Sequence, residues 1–487
     1  MMKNLDTLEF NPRFAPLGRS FAAPIEPTAT QEPRMVICSA EALALLDLPA
    51  HTATEPSLLA LASGAWFWPQ STPLAMVYSG HQFGGYTPRL GDGRGLLLGE
   101  VRNNAGEHWD IHLKGAGLTP FSRSGDGRAV LRSSIREFLA SEYLHTLGIP
   151  TSRALCVTDS KTMVWREQRE TAATLIRLAP SHIRFGHFEY FYYNQKHAEL
   201  EQLQAHVLKD LYPECLSADE PLLALLSAVV QRTAETIALW QAYGFCHGVM
   251  NTDNMSILGL TFDFGPYAFL DDFKQAHICN HSDNHGRYAF NQQVAMGYWN
   301  LTAFAETLTK QVPVARLQEV LDGYAAIQQQ AYLKAMRARL GLLDEQAGDA
   351  LLVDKLLAQM DHSAVDYTLF FRQLGERPVA EALAKLRDEF INRAAFDEWS
   401  DEFMARNAHD SRSQEQRQTQ MHAVNPLYML RNYLIQIAIE AAEDGDDASL
   451  HKLHQVLSHP FTEQEGCANY AERPPQWGKH LSISCSS

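Results

Sequence analysis

The order of predicted secondary structure is the feature that most constrains how this chain can fold. Residues 78–185 contain short runs of alternating apolar and polar residues, broken by glycine, with one long helix among them. Beyond Phe185 the sequence is almost entirely helical, with breaks near Pro313, Pro378 and Pro426. A strand-rich block followed by a helical block predicts a two-lobed α+β fold, not the strand–helix alternation of a parallel sheet.

The chain has 487 residues, a length that predicts two or three domains. We expect an irregular, proline-rich N-terminal extension to be followed by two lobes and a helical C-terminal region. The predicted bounds of these four parts are 1–77, 78–185, 186–330 and 331–487. The clearest predicted elements are strands at Leu96–Val101 and His108–Lys114 and helices at Leu131–Tyr143 and Leu222–Tyr243.

Composition and charge exclude several classes of protein. The formal net charge of −16 argues against non-specific nucleic-acid binding, which needs a basic surface. No run of about eighteen apolar residues predicts a membrane span, and the N-terminus lacks the apolar core of a secretory signal. The seven cysteines are scattered and include no CxxC pair, which argues against a disulfide scaffold or a zinc ribbon. We therefore expect a cytoplasmic protein.

The first chemical motif is the glycine-rich turn from Gly91 to Gly95, which includes Gly93 and Arg94. Glycines let backbone N–H groups approach phosphate oxygens closely. A strand follows the turn where a dinucleotide-binding fold would have a helix, so we interpret it as a strand–loop–strand flap. An ordinary glycine-rich hairpin would have the same sequence.

The second motif is Lys114, at the end of the predicted strand that follows this flap. A lysine in this position can pair with nucleotide phosphates if a carboxylate from a nearby helix holds it. Glu137 and Glu142 on the following helix are the two candidates. A solvated surface lysine is the alternative.

The third motif is the loop His247–Asn254, followed nine residues later by Asp263-Phe264-Gly265. We expect Asn254 to lie on a short loop and Asp263 on the strand after it. Their oxygens suit a shared Mg²⁺ or Mn²⁺ ion that also binds phosphate oxygens. With the flap and Lys114, this order is typical of a protein-kinase-like nucleotide site. Val249, however, stands where such phosphotransferases carry the aspartate that accepts the hydroxyl proton, which leaves Asp253 as the loop's candidate base.

The sequence closely resembles the selenoprotein O family, also called the YdiU family of protein adenylyltransferases. The matching stretches span most of the chain and include the C-terminal CSS. They are YSGHQFGGYTPRLGDGRGLLLGE, DIHLKGAGLTPFSRSGDGRAVLRSSIREFLASEYLHTLGIPTSRAL and YGFCHGVMNTDNMSILGLTFDFGPYAFLD. The resemblance implies a kinase-like fold in which ATP lies reversed, so that AMP is transferred to protein hydroxyls and pyrophosphate is released.

The resemblance also implies a role for each site residue. Gly91, Gly93 and Arg94 match the nucleotide-contacting flap, Lys114 the phosphate-binding lysine, and Glu137 its partner. The remaining matches are to a second nucleotide-binding turn (Asp126 and Gly127), phosphate-holding arginines (Arg177 and Arg184), the proton acceptor (Asp253) and the metal ligands (Asn254 and Asp263).

Other functions remain open from the sequence alone. A conventional γ-phosphate kinase and a catalytically silent, ATP-binding pseudokinase are the two alternatives. Val249 argues against the first, and the intact set of Lys114, Asn254 and Asp263 argues against the second. The sequence does not decide between ATP and UTP as donor, or between Mg²⁺ and Mn²⁺. We expect protein substrates, with no nucleic-acid or membrane partner.

Two cysteines suggest redox regulation. Cys279 follows Asp263 in the region of the activation loop of kinase-like folds, and Cys485 lies where some members of the resembling family carry selenocysteine. We hypothesise a regulatory Cys279–Cys485 disulfide that pins the C-terminal tail across this loop, although two unrelated free thiols remain the alternative. Zinc binding by the neighbouring His277, Cys279, His281, Asp283 and His285 is disfavoured by their alternate spacing.

Overall fold

The computed structural model describes residues 2–408 and 410–481. The strands are β1 (Glu9–Phe10), β2 (Ala22–Pro24), β3 (Arg34–Cys38), β4 (Leu74–Met76), β5 (Gly80–Gln82), β6 (Gly85–Thr87), β7 (Gly95–Arg102), β8 (His108–Lys114), β9 (Ala129–Val130), β10 (Arg153–Asp159), β11 (Met163–Trp165), β12 (Arg169–Ala179), β13 (Phe245–Cys246) and β14 (Ala268–Phe269). The helices are α1 (Ala40–Leu45), α2 (Pro56–Ala62), α3 (Leu131–Thr146), α4 (Phe185–Tyr193), α5 (His197–Asp210), α6 (Pro221–Tyr243), α7 (Gln293–Glu306), α8 (Val314–Asp322), α9 (Tyr324–Leu340), α10 (Asp349–Ser363), α11 (Tyr367–Gly375), α12 (Val379–Leu386), α13 (Arg393–Asn407), α14 (Gln414–His422), α15 (Asn432–Glu443) and α16 (Ala448–Leu457). The fold is α+β, as the sequence predicts.

A ten-stranded antiparallel sheet is built from strands that lie between residues 9 and 179. Its main path runs β2-β4-β7-β8-β12-β10-β3, with β1 added on β7 and with β9 and β11 on β12. The register places Lys114 of β8 between Gly95 of β7 and Leu175 of β12. Helix α3 packs on β10 and β12 and buries its apolar face there. The sheet thus brings the glycine-rich turn, the lysine and α3 together.

The N-terminal residues are part of this sheet. Strands β1 to β4 all lie before residue 77, and each pairs within the sheet: β2 with β4, β4 and β1 with β7, and β3 with β10. The sequence indicates only an irregular extension here because these strands are two to five residues long. Strands this short carry little periodic signal of their own.

Two local expectations were wrong. The turn from Gly91 to Gly95 leads into β7, but the strands before it, β5 and β6, form a separate two-stranded hairpin, so the turn does not join two paired strands. Asp263 does not lie on a strand either. Its neighbourhood is irregular, and Asp263 itself has a φ of +60°, a left-handed conformation that aspartate tolerates better than most residues.

Helix α6 is the long helix that the sequence predicts, and Gly244 ends it in a left-handed conformation. Within the described residues it is also the one helix long and apolar enough to cross a membrane by length and composition. Half of the window that meets this criterion is buried inside the protein, and α6 packs against α7, α8 and α9. A core helix satisfies the same criterion, so the feature is weak evidence for a membrane span.

The helical C-terminal part is tied to the rest of the chain by a buried arginine. Arg431, just before α15, pairs with Asp271 and, at 2.9 Å, with Asp366 at the start of α11. The Arg431 side chain is 2% exposed, so its charge depends on these two carboxylates. The two carboxylates hold the pKa of Arg431 above its ordinary value against the opposite effect of burial.

We predict that Arg431→Ala destabilises the protein by about 3–5 kcal/mol, because it leaves two carboxylates without their buried partner. Urea unfolding followed by circular dichroism would measure the loss. The matched control is Arg473→Ala, which removes a surface pair with Glu389 and should cost less than about 1 kcal/mol. Equal midpoints for the two variants would contradict the assigned role of Arg431.

Candidate functional site

The candidate active site is a cavity of about 560 Å³ between the sheet and the loops that follow α6. All the residues that the sequence singles out for the nucleotide and the metal line this cavity except Glu137, which lies behind Lys114. Basic side chains outnumber acidic ones in its lining: Arg94, Lys114, Arg123, Arg128, Arg166, Arg177 and Arg184 against Asp92, Asp126, Asp253 and Asp263. A basic cavity in a chain of net charge −16 suits a polyanionic ligand.

Lys114 is buried and held by the predicted carboxylate. Its Nζ pairs with Glu137 Oε2, and Glu137 is 1% exposed on α3. Burial lowers the pKa of Lys114, and the nearby carboxylate of Glu137 opposes that effect. The other candidate, Glu142, instead forms a bidentate pair with Arg153 at 2.7 and 2.8 Å. The structure therefore selects Glu137 and excludes both Glu142 and the solvated-lysine alternative.

Asp263 lies between two arginines. Its Oδ1 pairs with Arg177 and its Oδ2 with Arg184, while Arg177 also reaches Glu137 Oε1 at 3.3 Å. Burial alone would raise the pKa of Asp263, but Arg184, Arg177 and Lys114 hold it well below its ordinary value. Asp263 is therefore ionised at neutral pH. Its carboxylate partly neutralises a cluster of cations that points into the cavity.

Two side chains that hold Arg177 from behind, His112 and Asp92, were not predicted from the sequence. His112 Nδ1 lies 3.2 Å from Arg177 Nη2, and His112 Nε2 lies 3.2 Å from Asp92 Oδ2. Burial lowers the pKa of His112 to about 4, so the ring is neutral; it accepts from Arg177 and donates to Asp92. The alternation of β8 could have placed His112 near the site, because His112 and Lys114 lie two residues apart on one face of this strand.

Asp253 and Asn254 lie in a short 3-10 turn after α6. Asp253 Oδ2 accepts a hydrogen bond from Gln82 Nε2 at 3.2 Å, and its main-chain oxygen accepts one from Arg184 at 2.7 Å. Burial raises the pKa of Asp253 to about 7, although Arg184 acts in the opposite direction. A carboxylate poised near neutrality is suited to accept a proton. Val249 also lines the cavity, where it offers no proton-accepting group.

The donor set fits a hard divalent cation. The Asn254 amide donates through Nδ2 to the Val249 carbonyl at 3.1 Å, which leaves its Oδ1 as an acceptor, and Asp263 adds carboxylate oxygens in the same cavity. Mg²⁺ commonly takes one or two protein oxygens and completes its shell with phosphate oxygens and water. Within residues 2–408 and 410–481, no three or more His, Cys, Asp and Glu side chains lie close enough together to hold a metal ion.

The second turn predicted from the resemblance lines the same cavity. Asp126 forms a bidentate pair with Arg166 at 2.8 and 2.9 Å. Gly127 has a φ of +73°, and a Cβ there would lie 2.0 Å from the carbonyl oxygen of Gly117, so no larger residue fits. The loop that leads to this turn contacts the glycine-rich turn: the Ser122 hydroxyl donates to the Gly93 carbonyl, and the Thr119 hydroxyl donates to the Asp92 carbonyl. The two turns therefore lie next to each other in the lining of the cavity.

The structure tests only half of the predicted cysteine pair, because Cys485 lies outside the described residues. Cys279 is buried, and its Sγ lies 3.4 Å from Cys246 Sγ. Burial raises the pKa of the Cys279 thiol well above its ordinary value. The cysteines of the described chain are all free thiols. The Cys279–Cys485 disulfide stays a prediction.

Comparison with known proteins agrees with this geometry. A family model described as "Protein adenylyltransferase SelO" matches residues 4–458. The protein nucleotidyltransferase YdiU of Ectopseudomonas mendocina (strain ymp) is 59% identical over 487 residues, and that of Pseudomonas aeruginosa (strain LESB58) is 60% identical over 486 residues. Each alignment covers 100% of both chains. The chain is thus an enzyme of the nucleotidyltransferase class, and it belongs to the SelO/YdiU family.

Proposed function

We propose that this enzyme transfers AMP from ATP to serine, threonine or tyrosine hydroxyls of proteins and releases pyrophosphate. The observation that carries the proposal is the cation cluster of Lys114, Arg177 and Arg184 around Asp263, next to Asp253. Three buried cations in one cavity suit a polyphosphate, and arginine pairs with phosphate oxygens through its planar fork. The family assignment supports the same class of reaction.

The proposed orientation of ATP is reversed relative to a protein kinase, with the α-phosphate beside the acceptor. Arg177 and Arg184 then hold the β- and γ-phosphates, together with Lys114. The glycine-rich turn and the turn at Asp126 and Gly127 frame the rest of the nucleotide. The position of Val249, where a kinase has its base, supports an arrangement other than γ-phosphate transfer.

The proposed chemical step is a displacement at the α-phosphorus. The acceptor oxygen attacks that phosphorus while its proton passes to Asp253 Oδ2. The bond between the α-phosphorus and the oxygen that bridges to the β-phosphate breaks, and pyrophosphate leaves with that electron pair. Arg177 and Arg184 stabilise the negative charge that develops on the leaving group. Glu137 and His112 hold Lys114 and Arg177 in place for this role.

Asn254 and Asp263 would hold a Mg²⁺ or Mn²⁺ ion together with phosphate oxygens. Such an ion, when bound, neutralises phosphate charge and acts as a Lewis acid on phosphoryl oxygens.

The organisation and the location of the whole chain are also inferred. We infer a kinase-like pair of lobes at 78–185 and 186–330 and a helical C-terminal region at 331–487, with the strands of 1–77 added to the sheet of the first lobe. We also infer a cytoplasmic location. UTP in place of ATP is the alternative donor.

We expect that incubation with α-³²P-ATP labels protein and that incubation with γ-³²P-ATP does not. The reason is that AMP carries only the α-phosphorus to the acceptor. Gel autoradiography of both reactions, with unlabelled UTP as competitor, measures the outcome and the donor preference. Label from the γ-phosphate alone would establish phosphotransfer and overturn the proposal. Binding without label from either position would favour the silent pseudokinase.

Asp263→Asn should lower transfer by at least about 10²-fold, because it removes the anionic metal ligand and a stabiliser of the phosphate site. Nucleotide affinity, measured by isothermal titration calorimetry, should no longer increase when Mg²⁺ or Mn²⁺ is added. The control is Asp401→Asn on the exposed face of α13, which should keep both properties. Metal-stimulated binding in Asp263→Asn would exclude this residue as a ligand.

Asp253→Asn should reduce kcat by about 10²–10⁴-fold, the usual range for loss of a general base. The dissociation constant for ATP should change little, because the proposed role of Asp253 is in the chemical step. Single-turnover kinetics and calorimetry on one preparation separate the two effects. A variant that turns over at the normal rate would remove Asp253 from the mechanism.

A further inference from the structure

The hairpin formed by β5 and β6 carries an aromatic residue in an unfavourable backbone conformation. Its two-residue turn is Phe83-Gly84, flanked by the pair Gln82 and Gly85. Phe83 has a φ of +50° and Gly84 a φ of +85°, as a type I′ turn requires. Asparagine followed by glycine is the preferred sequence for this turn, whereas phenylalanine is strained there. The Phe83 side chain is nevertheless 46% exposed, so burial does not account for its presence.

The tip of this hairpin is fixed to the loop that carries Asp253. The Phe83 amide donates to Tyr288 Oη at 3.0 Å and to Asn251 Oδ1 at 3.3 Å. Tyr288 in turn donates to Asn251 Oδ1 at 2.5 Å, and the rings of Phe83 and Tyr288 lie 5.1 Å apart. The backbone of the hairpin tip is therefore held by Asn251 of the loop that carries Asp253, and the Phe83 ring packs on Tyr288.

The rest of the hairpin contacts the proposed base directly. Gln82 donates to Asp253 Oδ2, the oxygen assigned to take the acceptor proton. A Cβ on Gly80 would lie 2.6 Å from Asp253 Oδ1, which shows how closely the hairpin packs against this carboxylate. Gln82 and Phe83 both line the cavity that holds Lys114 and Asp263. An acceptor hydroxyl that reaches Asp253 must therefore pass beside this hairpin.

We propose that Phe83 is a specificity-determining residue for the acceptor protein. Its exposed ring contacts an apolar side chain adjacent to the hydroxyl that receives the nucleotide. The inference rests on the proposed transfer to protein hydroxyls and adds to it a rule for the acceptor sequence. Asparagine or glycine would form this turn with less strain than phenylalanine. The strained and exposed ring therefore indicates a binding role.

The turn chemistry supplies a test that separates binding from folding. Phe83→Asn gives the hairpin its preferred turn sequence and removes only the ring, so the melting temperature should stay the same or rise. Phe83→Tyr keeps an aromatic ring. Ile391→Asn is the matched control, because Ile391 is 73% exposed and does not line the cavity. Calorimetric ATP binding serves as a second check of the folded site in every variant.

The acceptor probes are two synthetic peptides with one central serine, flanked by leucine in the first and by serine in the second. We expect wild type, Phe83→Tyr and Ile391→Asn to label the leucine peptide about tenfold more efficiently by kcat/KM, a typical gain for one apolar contact. Phe83→Asn should lose this preference through a higher KM. A preference retained in Phe83→Asn, or absent from wild type, would overturn the inference.

A parallel reaction on whole-protein acceptors tells this inference apart from the proposed function. If wild type transfers α-label to proteins but Phe83→Asn shows the same peptide preference as wild type, the proposed function stands and the role of Phe83 is wrong. If wild type labels proteins but neither peptide, the acceptor rule is also wrong. If wild type transfers no α-label to any protein, both proposals are wrong.

Discussion

The site depends on one electrostatic constraint: several cations are buried in a small volume and each must have an anion. Lys114 pairs with Glu137, and Arg177 and Arg184 share Asp263. A buried charge without a partner costs several kcal/mol, so these five groups must assemble together or not at all. They come from β8, α3, β12, the start of α4 and the irregular segment after α6. The constraint therefore fixes the sheet and the helical part of the chain relative to each other at the cavity.

This arrangement gives the cavity a set of cations that are already in fixed positions. The carboxylate of Asp263 partly neutralises Arg177 and Arg184 and holds both side chains in the cavity. Preorganised cations of this kind need little rearrangement when a ligand enters. Most of the water around them has already been removed when the protein folds. His112 adds a neutral acceptor that orients Arg177 without cancelling its charge.

Local sequence patterns predicted much of the fold. The alternation in His108–Lys114 and the apolar face of Pro221–Tyr243 gave elements close to those observed, because each pattern is contained within one strand or helix. The pairing of β3 with β10 joins residues about 120 positions apart and left no comparable local signal. The Asp92–His112–Arg177 chain depends on such long-range register, and so does the contact of Gln82 with Asp253. The general rule that links a strand lysine to the next helix limited the partner of Lys114 to Glu137 or Glu142, and the structure shows that it is Glu137.

The segment after Asp263 is anchored at two points that belong to different parts of the chain. Arg136 of α3 donates to the main-chain oxygen of Tyr267 at 2.8 Å, and the Tyr267 hydroxyl donates back to the Arg136 oxygen at 2.8 Å. A few residues later, Asp271 is held by Arg431. Because Tyr267 and Asp271 are only four residues apart, the backbone between them has little conformational freedom. Any displacement of this stretch must carry α3 or the C-terminal helices with it, so the C-terminal region braces the loop that carries Asp263.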